Sequence, residues 1–149
     1  MQLNSSVNII EDWNEELGLA TCILETNYGS YKGEAQVHPD DIDMKSQKTG
    51  LIIATYRARI KMLKALKSMY LLPQIEVLER VEKYFNRSST FNSNCRENLF
   101  LLQELKALKT DLATINKMLV EDKCGLSAFI KSKEAFYQRI RKSRKARSE

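Results

Sequence analysis

The chain has 149 residues, the length of one domain. Its 43% hydrophobic and 29% charged residues exclude a disordered chain, and five glycines with two prolines argue against a turn-rich β-sandwich. The net charge of +5 is uneven: residues 1 to 43 carry nine acids and one base, 44 to 130 fifteen bases and eight acids, and 131 to 149 eight bases and two acids. An acidic beginning and a basic, helix-forming remainder point to an anionic partner, either nucleic acid or something smaller.

Residues 1 to 8 lack the basic and apolar regions of a secretory signal, and no run approaches the roughly 18 apolar residues of a membrane span. Val7, Ile9, Ile10 and Trp13 form either a short helix or an edge strand, with Trp13 as a packing residue. Leu19 to His38 reads as a β-hairpin: Thr21, Cys22, Ile23 and Leu24 favour a strand, and Asn27 to Ser30 supplies the turn. Gly33 within the second strand marks a bulge or a close backbone approach. Pro39 ends that strand, and Asp40 and Asp41 form a turn.

The expected helices are four. The first runs from Thr49, as its cap, to Leu72, with Leu51, Ala54, Ala58, Met62, Ala65, Leu66 and Met69 on its buried face. Pro73 stops it and opens the second, residues 74 to 87, whose apolar face is Ile75, Leu78, Val81 and Phe85. The third covers Asn94 to Asp122, with Leu101, Leu105, Leu108, Leu112, Ile115 and Leu119 as a heptad-like seam that packs inside one chain or against a second. Gly125 ends it, a short amphipathic helix follows to Arg139, and residues 140 to 149 form a basic, disorder-prone tail that either binds nucleic acid without sequence preference or only solubilises the chain. Together these give one α+β domain, a hairpin followed by helices. Because a lone hairpin is marginal in water, a homo-oligomer is expected.

Chemistry-bearing residues are few. Cys22, Cys95 and Cys124 have no CxxC spacing and read as reduced packing thiols. One histidine, His38, leaves no metal set, and no nucleophile–base pair or phosphate-binding glycine loop is present. A binder without catalysis, metal or cofactor is therefore expected. Arg57, Lys61 and Lys64 fall on one helix face, in a stretch from Ala54 to Leu72 with five bases and no acid. Such a face is ordinarily just solvated, but the missing acids favour phosphate binding. Phe91 and Asn92 could stack on a base and hydrogen-bond its edge, or Phe91 could clamp a helix capped by Asn94. Arg96 sits in a first helical turn, where the dipole disfavours a cation unless an anion binds.

The pattern G-x-A-x-x-H-P-x-D at residues 33 to 41, followed by G-x-x-x-A-x-x-R-A-R at 50 to 59, resembles two families. One comprises phage anti-defence proteins that sequester the cyclic ADP-ribose signal of bacterial Thoeris immunity. The other is a double-stranded-RNA-binding-like hairpin-plus-helix module of small bacterial proteins. The resemblance covers residues 19 to about 66 and the order of the helices that follow. The first family implies an α+β oligomer in the bacterial host cytosol, holding an uncleaved cyclic nucleotide in pockets between chains. Arg57, Phe91 and Asn92 could fill its phosphate and base roles, with Arg96 and Lys109 as further phosphate candidates; Lys61 is a candidate from the basic helix face.

Overall fold

The computed structural model describes residues 6–38, 41–42, 45–87 and 96–148, with residues 85–87 and 96–97 described by backbone only. The segment that reads as either helix or strand is a strand. β1 (Asn8–Asn14), β2 (Leu19–Thr26) and β3 (Gly29–Gln36) form an antiparallel meander in the order β1-β2-β3, so the expected hairpin has a third strand. The β2–β3 turn closes on Gly29 at φ 143°, a conformation that favours glycine. The register places Trp13, Ala20 and Ala35 on one face and Ile10, Ile23 and Lys32 on the other.

The first of these faces packs on a helix through small residues. Ala20, Cys22 and Leu24 of β2 and Ala35 of β3 are buried against Ala54 and Ala58 of α1 (Gln47–Ala65), with Trp13 packed at the edge. Gly33 has an unbroken register and marks a close approach: a Cβ there would overlap the Ala54 carbonyl oxygen and the Ala58 nitrogen.

The expected four helices are two continuous helical stretches among the described residues. α1 begins two residues before Thr49, because Ser46 is the cap and its Oγ accepts from the Thr49 N–H at 3.3 Å. Pro73 does not stop the stretch. Leu66–Leu71 form a π-helical turn that leads into α2 (Leu72–Arg87), and the Leu72 N–H donates to the Lys67 carbonyl five residues back. The wider turn just ahead of Pro73 accommodates a ring that would otherwise clash with the carbonyl four residues earlier. The turn also shifts the helical register, which leaves Met69, expected on the buried face, 69% exposed.

α3 (Arg96–Ser148) has 53 residues and spans about 80 Å. Gly125 does not end it. A Cβ at that position would sit 3.0 Å from the Tyr56 Oη, so the glycine makes room for a tyrosine on α1. The basic tail continues the helix as far as Ser148. α3 runs back along α2 and α1, and its seam is filled within the chain: Leu105, Leu108, Ile115 and Leu119 are buried against Leu63, Leu66, Leu71 and Ile75. Cys22 is buried as expected, Cys124 is exposed rather than packed, and Cys95 lies outside the described residues. No helix among the described residues is long and apolar enough to cross a membrane.

Candidate functional site

α1 is the floor of a valley walled by β3 on one side and α3 on the other. Its lower part is a groove of about 500 Å³ lined by Lys32 and Glu34 from β3, by Arg57, Ile60, Lys61 and Lys64 from α1, and by Leu126 from α3. Thus four cations face one carboxylate. Arg57, Lys61 and Lys64 meet there because spacings of four and three keep them on one helix face, and the close contact of Gly33 with α1 brings β3 alongside. Arg57 donates from Nη1 to the Glu34 carbonyl oxygen at 2.7 Å, which fixes the side chain and uses one of its five N–H groups. Lys32 Nζ lies 2.7 Å from Glu34 Oε1. That hydrogen bond and charge, with a further contribution from Lys61, hold the Glu34 carboxyl below its usual range. The groove is therefore cationic and exposed, with an arginine held in place.

One helical turn away the same valley changes character. A cavity of about 260 Å³ is lined by Trp13 of β1, by Gln36 and the residues beside it, by Thr49 and Ile53 of α1, and by Ile130, Lys133, Glu134 and Tyr137 of α3. Asp41, which also lines it, belongs to an ion pair that joins residues 100 apart in sequence. Arg141 grips Asp41 through both oxygens, with Nε to Oδ1 at 3.1 Å and Nη2 to Oδ2. Asp41, expected as a turn former ahead of an acid–base or metal role with His38, is buried, which ties the last part of α3 to the sheet. A second tie lies at the α1–α3 crossing. Asp122 is buried, and its Oδ2 is 3.2 Å from Arg59 Nε in an ion pair without hydrogen-bond geometry. Burial raises the Asp122 carboxyl above its usual range, against the opposing pull of Arg59.

Of the expected ligand residues, Arg57 and Lys61 share the groove. Lys109 does not join them. It pairs with Glu79 on α2 at 3.2 Å, and it lies 17 residues, about 25 Å of helix, from Leu126. The Arg96 backbone opens α3, 30 residues and about 45 Å from Leu126, so Arg96 does not belong to this groove either. Phe91 and Asn92 lie outside the described residues. Sequence reasoning missed Lys32, although strand alternation puts it on the same face as Glu34. It also missed Trp13 and Tyr137 as neighbours of one cavity, because a helix break at Gly125 removes the register that carries Tyr137 back to the sheet. Comparison of the chain with protein-family models, with curated proteins and with solved structures found no match.

Proposed function

We propose that this chain binds the phosphates of a cyclic nucleotide signal of the cyclic ADP-ribose kind and sequesters it without cleaving it, in the cytosol of a bacterial host and as an anti-defence protein. The observation that carries this reading is the groove lined by Lys32, Arg57, Lys61 and Lys64 with a single carboxylate, Glu34, already paired with Lys32. A diphosphate placed there gains charge-assisted hydrogen bonds, and the arginine is already oriented. The groove offers charge and shape, with no nucleophile–base pair among its lining residues, and that supports binding over catalysis. The resemblance at residues 33 to 59 supplies the class of signal. Homo-oligomer formation is part of the proposal, supported by large apolar side chains left exposed on the helices, among them Val77, Phe100 and Val120.

Nucleic acid is the second reading, favoured by the helical course of residues 139 to 147, which carry six bases. Isothermal titration with a cyclic ADP-ribose isomer and with a short DNA duplex separates the two. The expected result is binding of the small ligand with weak salt dependence, reduced about ten- to a hundredfold in Arg57→Ala. A wild type that ignores the small ligand and binds the duplex with a steep salt slope gives the site to nucleic acid.

A further inference from the structure

The cationic groove and the aromatic cavity are joined along all three walls of the valley. On α1, Ile53 lines the cavity and Arg57 lines the groove. On α3, Ile130 lines the cavity and Leu126 the groove. On β3, Gln36 lines the cavity and Glu34 the groove. Each helical step is four residues, about 6 Å, and the strand step is two residues, about 7 Å. The nearest lining residues of the two compartments are therefore one helical turn or two strand residues apart, so the cavity and the groove adjoin along the valley.

The compartments also differ in chemistry in the way the two ends of a nucleotide do. The groove has four cations to one carboxylate. The cavity is bordered by Trp13, Tyr137, Ile53 and Ile130, and its lining also carries charged and polar groups, among them Asp41, Glu134, Lys133 and His38. Trp13 is held by its own hydrogen bond, Nε1 donating to Glu15 Oε2 at 2.5 Å, and packs against the sheet core. Lys133 on the same face of α3 places its ammonium 5.5 Å from the centroid of the Phe129 ring. Aromatic and branched apolar walls suit the faces of a planar heterocycle, and the charged and polar groups beside them suit its hydrogen-bonding edge.

We infer that the valley is one bipartite nucleotide site, in which the cavity between Trp13 and Tyr137 takes the base and the Arg57–Lys61 groove takes the phosphate. This rests on the phosphate-binding reading of the groove and adds to it where the base sits and which residues select for it. The assignment moves the base away from Phe91 and Asn92 and onto three elements that α1 holds together.

The test is calorimetric titration of the full chain with adenosine 5′-monophosphate, adenosine and ribose 5-phosphate. The wild type binds the monophosphate more tightly than either fragment. Tyr137→Ala weakens the monophosphate about tenfold and leaves ribose 5-phosphate unchanged, whereas Tyr137→Phe, which keeps the ring, stays near the wild type. Arg57→Ala weakens the monophosphate and ribose 5-phosphate and spares adenosine. Circular dichroism of each variant establishes that it is folded. If ribose 5-phosphate binds as tightly as the monophosphate, or if folded Tyr137→Ala binds the monophosphate like the wild type, the base is not in this cavity, and the groove alone stands. If adenosine binds and ribose 5-phosphate does not, the phosphate reading of the groove falls, and the bipartite site falls with it.

Discussion

A methyl group on Gly33 has nowhere to go. Its Cβ would overlap backbone atoms of Ala54 and Ala58, which cannot rotate away as a side-chain end can. Gly33→Ala is therefore expected to cost about 2–3 kcal/mol, read as a fall in the urea midpoint. Gly125→Ala is the control. There the added carbon meets the Tyr56 hydroxyl at 3.0 Å, a movable group, and alanine gains about 1 kcal/mol of helix propensity over glycine, so the net change is near zero. Equal losses in the two variants would show that close approach of β3 to α1 does not decide the cost. Asp122 gives a prediction in pH. Burial raises its carboxyl above the usual value near 3.8, so the folded chain holds that proton more strongly than the unfolded chain does. The cost of its charge is absent below the unfolded value and grows as pH rises through the folded one. Wild type should lose stability relative to Asp122→Asn as pH climbs from about 4 towards 7, measured by urea unfolding at each pH. A difference that stays flat over that range would mean that Asp122 titrates as an exposed carboxylate does.

At the scale of elements, the last part of α3 is held by the Arg141–Asp41 pair, with the carboxylate buried and the guanidinium half-exposed. Arg141→Ala leaves a buried acceptor without its donor, a local cost of about 1–3 kcal/mol. Hydrogen exchange should then quicken in residues 130 to 148 and hold steady in residues 105 to 119, where the seam is packed. Uniform quickening would show that the pair supports the whole fold. Leu112 is half-buried against that same core, so Leu112→Asp should lower stability by about 2–4 kcal/mol without changing the mass of the folded species. What could be read from the sequence follows from these elements. Period-two alternation and the Gly29 turn locate β2 and β3, and the leucine spacing locates the seam, because both patterns are local. The strand at Asn8–Asn14 stays ambiguous in the sequence because its residues are nearly all exposed, so burial leaves no period. Pro73 and Gly125 mislead for one reason: each is a common helix terminator, and each is kept inside a helix by a neighbour distant in sequence or by a change of helical register. Arg57 and Lys61 could be found because they share a helix face. Lys32 and Tyr137 could not, because only the packing of three elements brings them to the same valley.

At the scale of the molecule, the sheet covers one end of the paired helices, while α2 and the first half of α3 form a two-helix layer with nothing over its outer side among the described residues. Val77, at 57% exposure, and the nearby Pro73, Leu78 and Leu108 border a groove of about 370 Å³ between those helices. Two helices bury one stripe each, and a second pair laid across them gives the four-helix arrangement that closes such a layer. In the homo-oligomer proposed above, a second copy of the chain related by a two-fold axis would supply that pair. Sedimentation velocity should show a concentration-dependent dimer, and Val77→Glu should give a monomer of unchanged helical content, because a charge buried without a partner opposes association. Val77 lies 13 residues beyond Lys64, about 20 Å along the helix, so nucleotide affinity per chain should survive the change. A dimer that persists in Val77→Glu places the interface elsewhere. A monomer that has also lost the nucleotide would put the pocket between chains, as the resemblance to the signal-sequestering proteins implies, and not within the valley of one chain.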